Sequence, residues 1–239
     1  MPVSPEVSTR LAELADRYGL RASAADRLAL LLELVAAEPS SITTVRDPAQ
    51  GIDVHVADSL VALELPEVRD ARRIADLGSG GGFPGLVLAI ALPDARVALV
   101  ERVGRKVSFL RAAIERLELG NAGAIRARAE AWPEGMGEHE LVTARALAPL
   151  TVLVEYAAPL LSVGGSLVAW KGARDRAEEA DGSAAAVALG MGELHVRPVA
   201  PFRAARDRHL YLSSKVSPTP PEYPRRPGMA RKRPLRASS

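Results

Sequence analysis

The chain contains no cysteine, which excludes disulfides and thiolate metal sites. Its four histidines are scattered, so a metalloenzyme is disfavoured as well. No stretch approaches the roughly 20 apolar residues of a membrane span. The opening "MPVSPEVSTR" lacks the basic-then-apolar order of a signal peptide. There is no G-x-S-x-G elbow of the serine hydrolases, and no segment repeats. These absences lead us to expect a cytoplasmic protein with neither a metal nor a membrane partner. The 239 residues are 48% hydrophobic and 25% charged, enough for one sizeable core with a small appended piece.

The net charge of +2 hides an asymmetry. From Ser217 onward there are six basic residues and one acid, a local charge of +5, which leaves −3 on the rest. On charge alone such an end is either a solvated terminus or a segment for a polyanionic partner.

Helical apolar spacing runs from Glu6 to Tyr18 and stops at Gly19. "SAADRLALLLELVAAE" predicts a second helix, with Ser23 as N-cap and Asp26 as its capping-box partner. "SSITTVRDPAQGID" reads as loop, and "VHVADSLVALEL" as a short helix with Leu60 and Leu63 inward. From Arg73 the rhythm changes to strands alternating with helices. The strands are "RIADLG", "RVALVE", "AGAIRAR", "HELVTARAL" and "GGSLVAWKG". The helices are "PGLVLAIAL", "KVSFLRAAIERLEL", a stretch from Pro149 to Leu160, and "ARDRAEEADGSAAAVALG", with a break expected at Gly182. "GELHVRPV" and "RHLYLSSK" follow with no helix between them, which predicts an antiparallel edge hairpin. The alternation predicts a parallel sheet covered on both faces.

"DLGSGGGFPG", Asp76 to Gly85, joins the first strand to the first helix of this alternation. Bare backbone there lets a ligand approach closely, and the helix start offers free N–H groups. Glu101 ends the next strand, where a carboxylate can accept from ribose hydroxyls. Read from Gly78, the dinucleotide pattern G-x-G-x-x-G is not met, because Phe83 stands in place of the third glycine. Asp76 would repel a diphosphate but suits a cationic ligand bearing an amino acid. Both features favour S-adenosylmethionine over a nicotinamide dinucleotide.

The stretch "RIADLGSGGGFPGLVLAIALPDARVALVERVGRKVSFL" resembles the motif region of bacterial small-subunit (16S) ribosomal RNA guanine-N7 methyltransferases, also known as the glucose-inhibited division protein B family. "TTVRDPAQGIDVHVADSL", "ARAEAW", "VTARALAPL" with "GGSLVAWKG", and "RHLYLSSKVSPTPPEYPRRPGMARKRPL" agree with it in order, so the resemblance covers about Ile42 to Leu235. Ser41 departs from the asparagine common there, while Arg105 and Lys106 keep the paired charges after the second strand.

The resemblance implies a Rossmann-like class I S-adenosylmethionine-dependent methyltransferase fold. It has a mostly parallel seven-stranded sheet and helices on both faces. A helical extension (1–70), a methyltransferase domain (71–216) and a basic tail (217–239) are expected. The resemblance also implies S-adenosyl-L-methionine as cofactor, contacted by Gly78, Phe83, Ala129, Glu130 and Arg145, alongside Asp76, Gly80 and Glu101 of the pocket read from the residues themselves. The partner implied is small-subunit ribosomal RNA or the small subunit itself, met by a monomer through Lys171, Lys215, Arg225, Arg226, Arg231, Lys232 and Arg233. His55 and Asp58, three apart, read as a packing pair, and no residue is assigned to proton transfer. Two alternatives stand beside this reading. One is a methyltransferase acting on a small molecule or a protein, against which the clustered cations speak. The other is a ribosome-assembly protein with a vestigial pocket, against which the intact pocket residues speak.

Overall fold

A computed structural model of the chain describes residues 2–237. Helix α1 (Pro5–Arg17) starts where Ser4 is extended and its hydroxyl accepts from the Val7 amide. Helix α2 (Ala24–Ala37) has no such cap. Ser23 is helical there rather than extended, with ψ −4°, so its hydroxyl makes no capping bond and the expected capping box does not form.

The next segment turns helical sooner than its sequence suggests. Helix α3 (Pro48–Gly51) is capped by the Asp47 carboxylate, which accepts from the Ala49 amide. A π-helical stretch (Ile52–Ala57), α4 (Asp58–Leu60), a 3-10 turn (Val61–Glu64) and α5 (Pro66–Arg69) follow. Leu60 and Leu63 are buried, as their spacing predicts.

Seven strands then form one sheet: β1 (Arg73–Leu77), β2 (Arg96–Glu101), β3 (Ala122–Arg126), β4 (His139–Arg145), β5 (Leu161–Lys171), β6 (His195–Pro198) and β7 (His209–Ser214). Their order is β3-β2-β1-β4-β5-β7-β6. The first five are parallel, and β7 runs antiparallel to both its neighbours. The terminal hairpin is therefore present, but β7 lies inside it. Buried Leu210 and Tyr211 suit β7 to the interior, while the short, largely exposed β6 forms the edge.

Helices α6 (Gly85–Ala91), α7 (Gly104–Arg116), α8 (Leu150–Ala157), α9 (Arg176–Ala188) and α10 (Met229–Lys232) complete the chain. Side chains alternate across the sheet, so Ile74 joins one core and Ala75 and Leu77 the other. The first core holds α1, α2, α6 and α7; the second holds α8, α9 and Ala230 of α10. Leu28, Leu31 and Val56 share the first core with Ile74 and Leu99, so the helical preface packs directly on the sheet. Helix α9 runs unbroken through Gly182, contrary to the expected break. A Cβ there would come within 2.9 Å of the Leu150 Cβ, so the glycine lets α8 and α9 approach closely.

Gly85 opens α6 against the sheet. A Cβ on it would lie 2.2 Å from Leu99 Cδ2 and 2.6 Å from Asp76 Oδ2. Gly85→Ala is expected to destabilise the fold by about 3 kcal/mol and lower Tm by about 6–12 °C. Calorimetric unfolding measures this, and an unchanged Tm would show that strand and helix do not meet so tightly.

Candidate active site

The chain runs outward from β1 to β3, then returns to β4 on the other side of β1. This reversal opens a crevice beyond the carboxyl ends of the central strands, where open α/β sheets bind ligands. A cleft of about 460 Å³ occupies it, bordered by Gly78, Glu101, Ala129, Glu130, Leu147 and Arg231 among others. A second cavity of about 510 Å³ adjoins it, bordered by His55, Asp58, Arg145, Trp170, Lys171 and Arg208 among others. Ala146 borders both. Its φ of +53° is left-handed, a strained conformation for alanine at the junction of the two spaces.

In the first cleft, Glu101 is 6% exposed. Its Oε1 accepts from the Val103 amide at 2.8 Å and its Oε2 from the Gly80 amide at 3.2 Å. The carboxylate is thus locked between the glycine loop and the start of α7. Gly78 (φ +68°) places bare backbone on the cleft wall. Its neighbours leave no room for a side chain, since a Cβ there would reach 2.6 Å from Leu147 Cδ1.

Asp76 sits behind the loop and does not border the cleft. It is fully buried, and its Oδ1 accepts from the Thr143 hydroxyl at 2.8 Å, while Oδ2 has no hydrogen-bond partner. Burial pushes its carboxyl up to about 6, against the opposing hydrogen bond of Thr143. Gly80 contributes through its amide on Glu101 rather than as cleft lining.

Arg145 borders the second cavity, whereas Phe83 borders neither cavity and packs behind His55 and Arg145. Phe83 stacks on His55 with ring centroids 4.2 Å apart and planes 9° from parallel. Arg145 Nη1 donates to Asp58 Oδ2 at 2.8 Å and to the Val54 carbonyl at 3.0 Å. Its guanidinium also lies 5.6 Å from the Phe83 ring centre. His55 and Asp58 are joined through this arginine rather than to each other. His55 Nε2 meets the Val45 carbonyl at 2.9 Å, and burial holds the ring's pKa below the usual histidine value. The π-helical stretch changes the facing that three-residue spacing implies on an α-helix. Trp170, Arg208 and His209 also border this cavity; they lie in stretches that carry the resemblance, but no charge cluster or spacing singles out these three side chains.

The cations expected to meet RNA divide sharply. Lys215 is buried, its Nζ donating to the Leu189 carbonyl and the Thr219 hydroxyl. Burial pushes its ammonium down to about 8, and so buried a group cannot reach a phosphate. Arg225 is engaged with the buried Glu155 carboxylate. Lys171 pairs with Glu178 at 2.6 Å on the rim of the second cavity. Arg231 is exposed but donates to the Leu147 carbonyl at 2.6 Å, beside the first cleft. Arg226, Lys232 and Arg233 are exposed and make no ion pair among the described residues. The basic end itself folds back on the core: Ala230 is buried, and Thr151 donates to the Leu235 carbonyl.

Strand order, the antiparallel β7 and the glycine-walled cleft define the Rossmann-like fold of class I S-adenosylmethionine-dependent methyltransferases. Two solved structures share it at low identity. The S-adenosylmethionine-dependent methyltransferase SibL matches with TM-score 0.58 at 15% identity, over 90% of this chain and 71% of its own. The precorrin-6y C5,15-methyltransferase of Geobacter metallireducens matches with TM-score 0.51 at 15% identity, over 76% of this chain and 94% of its own. The chain belongs to the GidB family, described as rRNA small subunit methyltransferase G, whose model matches residues 25–211. The Ribosomal RNA small subunit methyltransferase G of Rubrobacter xylanophilus is 40% identical over 92% of this chain and 88% of its own. That of Pelotomaculum thermopropionicum is 42% identical over 76% of this chain and 77% of its own.

Proposed function

We propose that this chain transfers a methyl group from S-adenosyl-L-methionine to N7 of a guanine in small-subunit (16S) ribosomal RNA, in the cytoplasm. The observation that carries the reading is that two cavities share Ala146 on their borders. One has the features of a nucleoside site, and the other is lined by Arg145, Lys171 and Arg208. Family membership and the names of the relatives support small-subunit ribosomal RNA as the substrate.

The residues present fit the cofactor. The buried Glu101 carboxylate is an acceptor for ribose hydroxyls, and bare backbone at Gly78 admits the amino-acid part. When bound, the cofactor supplies a methyl group activated by a positively charged sulfur. Guanine N7 offers an in-plane lone pair and no proton, so its attack needs no general base. The protein's task is in-line placement across the junction, with its own dipoles steadying the charge left on the purine. The engagement of His55 with the Val45 carbonyl, and of Asp58 with Arg145, agrees with their having no proton-transfer role.

The test is methyl transfer from labelled cofactor to ribosomal RNA of a strain lacking this protein, followed by cleavage mapping of N7-methylguanine. Label on another base, or none on RNA, would sink the reading.

Arg226, Lys232 and Arg233 are proposed to contact phosphates. Replacing all three with alanine is expected to weaken RNA binding and to lower the slope of log K against log salt by about 2. An unchanged slope in a salt titration would remove these residues from the RNA surface.

A further inference from the structure

The C-terminal segment returns to the mouth of the first cleft through three specific contacts. The Gly228 amide donates to Glu130 Oε1 at 3.0 Å. Arg231 Nη2 donates to the Leu147 carbonyl at 2.6 Å. Ala230, between them, is 3% exposed and belongs to the second core. Gly228 has φ +86°, the left-handed bend that starts α10 and turns its amide onto the acid.

The Glu130 carboxyl group is 6% exposed in its side chain and has Arg128 Nη1 3.8 Å away. Its Oε1 is engaged by the segment, so it anchors the segment at the cleft wall. Leu147, the other anchor, borders the cleft with its side chain against Gly78. Tyr156 completes this corner. Burial raises its hydroxyl pKa, the Glu130 charge adding and Arg231 opposing. The guanidinium of Arg231 is thus held at one anchor, beside the wall of the space assigned to the nucleoside.

We propose that the C-terminal segment completes the cofactor cleft, with Arg231 as a cofactor-binding residue and the Glu130–Gly228 hydrogen bond as its positioning contact. This rests on the methyltransferase reading of the first cleft. An arginine has five donors and a planar face, suited to a carboxylate or to the face and edge of a purine. Closure by a segment so far along the chain from the glycine loop explains why a basic helix of four residues, too short to be stable alone, is seated there. By linkage, whatever fills the cleft also stabilises docking of the segment.

The experiment uses the full chain, S-adenosylhomocysteine and no RNA. Calorimetry should give an affinity at least about 10-fold weaker for Arg231→Ala than for the parent, and a smaller loss for Arg231→Lys. Arg236→Ala, exposed on the same segment and outside the cleft, should bind as the parent does. The ligand should also slow tryptic cleavage after Arg225, Arg231 and Lys232, a readout that needs no variant. Parental binding by Arg231→Ala, together with tryptic cleavage indifferent to ligand, would overturn the inference and leave the methyltransferase reading standing. No binding by the parent chain would remove that reading, and this inference with it.

Discussion

Glu101→Ala is expected to weaken S-adenosylmethionine binding at least about 100-fold, or about 2.7 kcal/mol, and to abolish methyl transfer at ordinary cofactor concentrations. Two effects combine. The ribose hydroxyls lose a charged acceptor, and each charge-assisted hydrogen bond contributes about 1.5–3 kcal/mol. The Gly80 and Val103 amides also lose the carboxylate that holds the glycine loop to the start of α7. Thermal stability should fall too, by about 1–3 kcal/mol for a buried amide left without a partner. Glu101→Gln keeps a side-chain oxygen of the same reach and should retain more of both. Isothermal calorimetry well below Tm separates ligand affinity from stability. Binding of the alanine variant within a few-fold of the parent would show that the ribose lies elsewhere.

Arg145→Met is expected to destabilise the fold by about 3–5 kcal/mol. The guanidinium is 15% exposed and its partner carboxylate on Asp58 8%, so the pair is largely out of water. Removing only the cation leaves a buried carboxylate whose remaining cation, Arg208, stands 3.7 Å away and makes no hydrogen bond through Nε. The Val54 carbonyl loses its side-chain donor in the same step. Combining Arg145→Met with Asp58→Asn should cost less than the arginine change alone, because the buried carboxylate is then neutral and only the more exposed Arg208 is left without its counter-ion. Denaturant unfolding of the two single variants and the double variant closes the cycle. If the double variant loses the sum of the two single losses, the residues do not interact. The methyl-transfer rate should fall with Arg145→Met more than cofactor affinity does, since the side chain borders the second cavity rather than the first.

These two residues mark different limits of sequence reading. Glu101 is legible because its role is local: it follows one apolar strand, and the loop it grips follows the strand alongside. Arg145 is recognisable as a residue at a strand's carboxyl end, but not for what it touches. Its partner lies 87 residues before it in the chain, at the start of α4 and just past a π-helical stretch that periodicity reads as an ordinary helix. The basic end shows the same limit. Composition counts Lys215, Arg225 and Arg226 alike, yet the fold buries the first, pairs the second with Glu155 and leaves the third exposed.

By itself the sequence determined the alternation of strands and helices, the glycine loop after the first strand and the acid ending the second. Each depends on hydrogen-bonding patterns and steric freedom within a few neighbouring residues. Tertiary structure alone decided which carboxylates are anchors, which cations face water and where the chain's end closes against the cleft. Burial and ion pairing arise between residues far apart in the chain, and no local pattern encodes them.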